Sequence, residues 1–188
     1  MRRFVCCALL GVVALVLAGS PSAASGPGQR DAALEQGILR ELNRVRVAHG
    51  LAALQPSAAL RSAALYQSRS LLAQGVFGHD TPGSGRFGDR LRRFYPVAGA
   101  TSWVVGENLL WSTAGITPAE AVELWLESPA HRRVMLDASW RELGVAAVSA
   151  SDAPGVFASA DGPVVVVTVD FGARAGGSRL TAAASSRG

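Results

Sequence analysis

The sequence predicts a single α+β domain, with helices in its first two thirds and an antiparallel sheet built largely from its last third. Three observations support this fold class. The length of 188 residues suits one domain. Apolar residues recur at helical spacing between residues 31 and 136, and short β-branched runs follow from residue 143. Because the helices do not alternate with the strands, a parallel α/β arrangement is not expected.

The first 24 residues are predicted to form a secretory signal peptide. Two arginines precede an apolar stretch, residues 4–17, and small residues follow it up to Ala24. An uncleaved membrane anchor is the alternative, but the apolar stretch is shorter than the roughly 20 residues of a spanning helix. Cys6 and Cys7, the only cysteines, lie in this segment. We therefore expect a secreted, extracytoplasmic protein without disulfides or a thiolate metal site.

The folded domain is predicted to span residues 31–172, between two flexible segments. Residues 25–30 have the composition of a spacer, and residues 173–188 that of a disordered tail. The positive charge of the chain lies in the leader and these flanks. The domain itself holds 12 arginines and all 14 acidic residues, although the whole chain has a formal charge of +4. A nucleic-acid partner is therefore not expected.

The helices are predicted from apolar spacing and from capping residues at their ends. Ser57 follows a proline and suits an N-cap, and Thr117-Pro118 combines a cap with proline at the first helical position. Pro129 either kinks the last helix or begins a new one. The predicted helices cover residues 31–49, 57–75, 87–94 and 117–136.

The strands are predicted from short apolar and β-branched runs. Asp161 and Gly162 separate the last two runs and are typical of a hairpin turn, which favours antiparallel pairing. One further strand precedes Gly106 and Glu107. The predicted strands cover residues 101–105, 143–148, 155–159 and 164–171.

The candidate chemical residues are two of the three histidines and one glutamate. His49 ends the first helix and is expected to cap its carbonyl groups. His79 lies in a loop, His131 follows Pro129, and Glu107 follows a strand. Two imidazoles and a carboxylate suit a divalent metal such as zinc, or acid–base work without a metal. Spacing alone does not show that they converge. Signatures of serine hydrolases, zincins and nucleotide-binding proteins are absent.

Two local clusters of arginines are the remaining charged feature. Arg86, Arg90, Arg92 and Arg93 form one cluster, and residues 132–133 form the other. Solvated helix faces are the expected explanation. Contact with an anionic polymer is the alternative, although no aromatic platform is interleaved as in a single-strand binder.

Four motif blocks follow one another along the chain. They are Asn43-x-x-Arg46 with Gly50-Leu51, Phe77-Gly78-His79, Gly106-Glu107-Asn108 and Trp125-x-x-Ser128-Pro129-x-His131. In this order the blocks resemble the CAP superfamily, also called SCP-like, and within it the bacterial branch without disulfides. Leu143-Gly144-Val145 and Thr168-x-x-Phe171-Gly172 resemble the closing strands of the family. The resemblance covers residues 34–172, and the four blocks in order are more specific than any single block.

The resemblance implies an α-β-α sandwich with helices on both sides of a small, mainly antiparallel sheet, and a solvent-facing cleft. His79 and Glu107 match cleft residues of the family, and His131 matches a histidine of its bacterial members. Ser128 stands where eukaryotic members have a second glutamate, and the adjacent Glu127 is the candidate substitute. Other motif residues are assigned to structure, namely Asn43, Arg46, Asn108, Trp125 and Ser128.

The leading functional hypothesis is a secreted CAP domain whose cleft binds a ligand or a divalent metal such as zinc, with no established catalytic activity. His79 and His131 are the candidate metal ligands, assisted by Glu107. A metal-dependent hydrolase of peptide or cell-wall substrates, with Glu107 as base, is one alternative. A cell-envelope binding module is another. A lipid, a sterol or a cell-wall polymer is the expected partner, and a monomer is the expected state.

Overall fold

A computed structural model describes residues 28–113 and 115–176, which form a sheet between two layers of helices. This arrangement confirms the predicted α+β class. One 3₁₀ turn, Gly155–Phe157, lies between the last two strands. The α-helices are α1 Ala32–Ala48, α2 Ala58–Gln74, α3 Phe87–Phe94, α4 Pro118–Glu127 and α5 Pro129–Met135. The strands are β1 Gln29–Arg30, β2 Gln55–Pro56, β3 Ser102–Thr113, β4 Glu142–Ala150 and β5 Val164–Ala175.

The sheet has the order β1-β4-β5-β3, and β2 pairs with the far end of β4. All pairs are antiparallel except β2 with β4. The long strand β3 pairs along its whole length with β5, so that Glu107 lies opposite Asp170. Within the part of the chain that the structure describes, β3 is an edge strand. The centre of β3, at Glu107 and Asn108, is nevertheless buried beneath the helices.

The strand β5 is buried on both faces because helices cover the sheet on both sides. Its odd-numbered residues from Val165 to Phe171 pack against α1, α4 and α5. Val164 and Val166 point to the opposite layer, which contains α2 and α3. Alternation along a strand places Thr168 and Asp170 on that same α2 face. On β5, the side chains that face α2 thus include polar ones, whereas those from Val165 to Phe171 that face α1 are all apolar.

The helix ends agree with the capping residues that the sequence offers, with one exception. Thr117 and Glu120 form a reciprocal capping box at the start of α4. Pro129 begins a new helix, α5, and does not kink α4. Ser57 occupies the N-cap position of α2, but its side chain makes no capping bond. Its backbone N–H instead donates to Leu143 at 2.8 Å, which joins this position to β4.

The predicted strand at residues 155–159 is wrong. Gly155–Phe157 form a 3₁₀ turn, and Phe157 inserts into the core with 2% exposure. The backbone of Val156 donates to Gly75 at 2.9 Å, so this turn pairs with the end of α2 and not with a strand. Asp161 and Gly162 consequently lie in a long connection between β4 and β5. A short apolar run fits a buried turn as well as it fits a strand.

Three predicted boundaries also shift. The strand predicted at residues 101–105 extends to Thr113, and Glu107 and Asn108 therefore lie within β3. Gln29 and Arg30, placed in the predicted spacer, pair with β4, and β5 continues to Ala175 beyond the predicted domain end. The predicted signal peptide and most of the predicted tail lie outside the described residues.

Arg46 joins α1 to the loops that flank it. Its side chain is buried, and its guanidinium donates to the carbonyl oxygens of Ala52, Met135 and Asp137 at 3.1, 2.8 and 3.0 Å. On the same side of α1, Asn43 exchanges two hydrogen bonds with the backbone of Leu54. The two motif residues therefore hold loop backbone and do not contact the cleft residues.

We expect Arg46→Ala to lower the free energy of unfolding by about 2–4 kcal/mol, since each buried group left without a hydrogen bond costs about 1–3 kcal/mol. Urea denaturation measures the change. Arg44→Ala is the matched control, because Arg44 is exposed and pairs only with Glu41 on the same helix, so a loss below about 1 kcal/mol is expected. Equal losses in both variants would contradict the assigned role of Arg46.

Candidate functional site

Glu107 lies at the centre of the candidate site. It stands in the middle of β3, and its side chain is 1% exposed. One carboxylate oxygen, Oε1, is 2.8 Å from Nδ1 of His79. The other, Oε2, is 2.5 Å from Nη2 of Arg90. Both oxygens of Glu107 are therefore engaged inside the protein.

His79 is presented by the loop between α2 and α3. Gln67 of α2 donates to the carbonyl oxygens of Gly78 and His79 at 2.9 and 3.2 Å, and Arg90 donates to the His79 carbonyl at 3.0 Å. Asp80 accepts a hydrogen bond from the backbone of Phe87 at 2.7 Å, which joins the loop to the start of α3. These bonds hold the loop so that the His79 imidazole meets Glu107.

The His79 imidazole is oriented by Glu107 but remains 55% exposed. The hydrogen bond to Glu107 raises the pKa of His79, against a smaller opposing effect of burial. Donation from Nδ1 to the carboxylate leaves Nε2 as the ring nitrogen available to another partner. A buried carboxylate thus presents a surface imidazole in one orientation and increases its tendency to carry a proton.

Arg90 is a site residue that sequence reasoning missed. It was expected on a solvated basic face, but its side chain is fully buried. Besides Glu107, it binds Oε1 of Gln67 at 2.7 Å and lies 5.5 Å from the centre of the Phe87 ring. The signal was present, because Phe87, Arg90, Leu91 and Phe94 have the spacing of one apolar helix face.

Asp170 is the second residue that was missed. It lies on β5 directly opposite Glu107, and it has no exposed surface. Burial, followed by the charge of Glu107, raises the pKa of Asp170 well above its usual range. The sequence did contain a signal for it. Asp170 is the one acidic residue in a predicted strand that otherwise consists of valines, a threonine and a phenylalanine.

His131 reaches the site from the opposite helix layer. It lies on α5, and its carbonyl oxygen accepts a hydrogen bond from Asn108 at 3.0 Å. Asn108 follows Glu107 on β3 and so points to the other face of the sheet. Burial and, secondarily, the nearby His79 lower the pKa of His131. The two imidazoles therefore belong to opposite helix layers, and the side chains that line the cleft beside His79 do not include His131.

Glu127, the candidate substitute for a second cleft glutamate, lies elsewhere. It lines a separate groove of about 490 Å³ along α4, with Glu120, Glu123 and Leu124. Ser128 separates α4 from α5 and makes no side-chain capping bond. Trp125 is buried and donates from Nε1 to the carbonyl of Leu109 at 3.0 Å, so it is a core residue.

The cleft beside His79 has a volume of about 440 Å³ and is lined by His79, Asp80, Phe87 and Glu107. Among residues 28–113 and 115–176, no group of three or more His, Cys, Asp or Glu side chains is arranged to hold a metal ion. Glu107 is not free to assist, because His79 and Arg90 take both of its oxygens. Metal binding by His79 and His131 therefore stays a prediction that rests on two imidazoles.

The fold and these residues agree with one family. Residues 39–171 match the profile of the cysteine-rich secretory protein family, CAP. The chain belongs to the CAP family. Two proteins of Bacillus subtilis strain 168 are similar to this CAP domain. The uncharacterized protein YkwD is 28% identical over 113 residues, which are 60% of this chain and 42% of YkwD. The uncharacterized membrane protein YlbC is 31% identical over 111 residues, 59% of this chain and 30% of YlbC.

The CAP domain thus spans less than half the length of these two relatives. Among solved structures, an extracellular protein containing a SCP domain from Bacillus anthracis str. Ames is 27% identical with a TM-score of 0.56, over 74% of this chain and 40% of that one. An outer surface protein from Borrelia burgdorferi has a TM-score of 0.63 at 18% identity, over 78% of this chain and 98% of that one. This second likeness shows the fold alone. No helix in the described ranges is long and apolar enough to cross a lipid bilayer.

The hydrogen bond of His79 to Glu107 and the burial of His131 predict opposite shifts of the two histidine pKa values. We expect His79 to titrate above the ordinary histidine pKa and His131 below it. Glu107→Gln should lower the pKa of His79, because it removes the carboxylate that stabilises the imidazolium. NMR titration of the imidazole signals, assigned with His79→Gln and His131→Gln, measures both values. An unchanged His79 pKa in Glu107→Gln would contradict the geometry.

The buried ion pair predicts a large effect of Arg90 on stability. Arg90→Met leaves the carboxylate of Glu107 buried without its cation, so we expect a loss of about 3–5 kcal/mol in the free energy of unfolding. Arg92→Met is the matched control on the same helix, because Arg92 is exposed and lies 3.7 Å from an exposed Asp89. A change below about 1 kcal/mol is expected there. Thermal and urea denaturation of both variants distinguish a buried pair from a solvated basic face.

Proposed function

We propose that this CAP domain is an extracytoplasmic binding module whose cleft beside β3 takes an anionic or hydrogen-bond-accepting group of a cell-envelope molecule through His79. The observation that carries the proposal is that one carboxylate oxygen of Glu107 binds His79 and the other binds Arg90. The Glu107 carboxylate is buried, so His79 is the member of the His79–Glu107 pair that is exposed to solvent. Glu107 orients the imidazole and does not itself meet the ligand.

A protonated His79 favours a negative or hydrogen-bond-accepting group on the ligand. The raised pKa of His79 increases the fraction of imidazolium near neutral pH. Behind the imidazole, the charge of Glu107 is balanced by Arg90, so a protonated His79 places one positive charge at the mouth of the cleft, where Asp80 supplies a negative one. Phe87 meets the His79 ring edge-on at 6.4 Å and supplies an apolar wall. The cleft therefore suits a charged group attached to an apolar or sugar-like body.

The location is inferred from the N-terminus and from the relatives. The predicted signal peptide would direct the chain out of the cytoplasm. One similar solved structure is described as an extracellular protein, which supports the same compartment. A cell-wall polymer fits this location better than a free metabolite, since it carries many copies of an acidic group. Lipid head groups remain the second source of such groups.

A hydrolase is the second candidate, because one observation favours it. A carboxylate that orients an imidazole by Nδ1 and leaves Nε2 available is a common arrangement for a general base or a metal ligand. Glu107 was the expected base of the metal-dependent hydrolase, but its burial and its two partners make His79 the better candidate for that role. His131, whose pKa is lowered by burial and secondarily by the charge of His79, would be the second imidazole.

The binding proposal is tested by titrating the protein with soluble cell-wall fragments and following the His79 imidazole by NMR. We expect a saturable shift of the His79 signal, and binding that weakens with salt and as the pH rises through the pKa of His79. His79→Gln should weaken binding about tenfold or more, the effect of losing one charge-assisted hydrogen bond of about 1.5–3 kcal/mol. His49→Gln is the control, because His49 lies at the far end of α1 and contacts only the backbone of Val45.

Parallel titrations separate the alternatives. Anionic lipid vesicles replace the wall fragments in one arm, and zinc replaces them in another. Stoichiometric zinc uptake that is lost in both His79→Gln and His131→Gln would establish the metal hypothesis. Release of new chain ends from the wall fragments, lost in His79→Gln, would establish the hydrolase. Wall binding that is equal in the wild type and in His79→Gln would refute the proposed module.

A further inference from the structure

Asp170 is a buried acid without a visible hydrogen-bond donor. Its side chain lies on the central strand β5 and is fully buried. Neither of its carboxyl oxygens has a hydrogen-bond partner among the described residues. An ionised carboxylate in that position would bear the full cost of desolvation with nothing to offset it. The burial of Asp170 therefore favours its neutral, protonated form.

The register of the sheet places a second acid beside it. Asp170 is the direct cross-strand partner of Glu107, and partners of this kind lie on the same face with Cβ atoms about 4.5–5.5 Å apart. After burial, the charge of Glu107 is the strongest influence that raises the pKa of Asp170. On the other side, Asp170 faces Gly144 of β4, where the backbone of α2 packs too closely for any added Cβ. Two carboxylates in so enclosed a place are not both ionised at neutral pH.

The partners of the two acids decide which one carries the charge. Glu107 binds the His79 imidazole and the Arg90 guanidinium, both of which favour an ionised acceptor. Asp170 binds neither of them. Arg90, the nearest cation, makes its bonds through Nη1 and Nη2, whereas its Nε has no acceptor. The guanidinium therefore binds the Glu107 carboxylate and makes no hydrogen bond to Asp170. Nearby Ser68 and Thr168 bond to each other at 2.8 Å and carry no charge.

We propose that Asp170 is a neutral carboxylic acid at neutral pH, that it donates its O–H to Glu107, and that it acts as a positioning residue for the His79–Glu107 pair. The donated bond occupies a lone pair of Glu107 that neither His79 nor Arg90 uses. It keeps the negative charge on Glu107 and limits the rotation of its carboxylate. This role of Asp170 rests on the proposed function of His79 in binding. The tests below need no ligand, so a negative result for Asp170 is distinguishable from a failure of the binding proposal.

Infrared spectroscopy tests the protonation state directly. A buried protonated carboxyl group has a carbonyl band distinct from that of a carboxylate, and we expect this band in the wild-type protein at neutral pH. Asp170→Asn should remove it, whereas Asp89→Asn, which changes an exposed acid of α3, should leave it. Absence of the band in the wild type would overturn the proposal. Persistence of the band in Asp170→Asn would do the same, because the proton would then belong to Glu107.

The His79 titration gives an independent test, because a neutral and an ionised Asp170 predict different effects of one substitution on the pKa of His79. Asparagine is a neutral donor of nearly the same shape, so Asp170→Asn should leave the pKa of His79 unchanged if Asp170 is already neutral. If Asp170 is ionised, the same substitution removes a negative charge near His79 and lowers that pKa. Glu107→Gln, which removes the charge assigned to Glu107, is the positive control for a decrease. A decrease in Asp170→Asn comparable to that in Glu107→Gln would overturn the proposal.

The positioning role is tested by rescue. We expect the His79 Nδ1–H resonance to be protected from exchange in the wild type and in Asp170→Asn, since both keep a donor to Glu107. Asp170→Val has a similar volume but no donor, and it should lose that protected resonance while the backbone spectrum shows a folded domain. Equal protection in Asp170→Val would contradict positioning. If Asp170→Val does not fold, the infrared band and the Asp170→Asn titration still decide the proposal.

Discussion

The buried ion pair between Glu107 and Arg90 is the interaction on which the cleft depends. One guanidinium joins four parts of the chain, since Arg90 of α3 binds Glu107 of β3, Gln67 of α2 and the carbonyl of His79 in the loop between the helices. Neither charged side chain is accessible, so water cannot replace a lost partner. Removing one member of such a pair leaves an uncompensated charge, which costs several kcal/mol. Because Arg90 binds both Glu107 and the carbonyl oxygen of His79, the buried pair also holds the loop that presents His79.

This constraint explains why polar residues gather on one face of the sheet. On the α1 side, β5 presents valines and a phenylalanine to the helices that cover it. On the α2 side, the same strand presents Thr168, paired with Ser68, and then Asp170 beside Glu107. The polar strip ends at the edge strand β3, where the His79 loop covers it and where α5 brings His131 from the other layer. The cleft lies where the two layers and the sheet edge meet.

The sequence supported the fold and part of the site for definable reasons. Capping residues such as Thr117 and Pro118 act within one turn, so they mark a helix start before any tertiary contact forms. His79 and Glu107 were found because they lie in family motifs. Residues 155–159 were misassigned because a short apolar run fits several buried conformations. Glu127 was placed beside the cleft by its sequence neighbours, but α4 carries it into a different groove.

The sequence by itself determined the α+β class, the family and the two residues that form the central hydrogen bond. These follow from local spacing and from motifs, which are properties of the chain alone. Only the tertiary structure decided the roles of Arg90 and Asp170, because a charged residue on a helix or strand is normally solvated and becomes a buried partner only when another element covers it. The antiparallel register of β3 with β5 joined residues 63 positions apart into one acid pair. No local pattern encodes that pairing, since the register is set by the packing of the whole sheet.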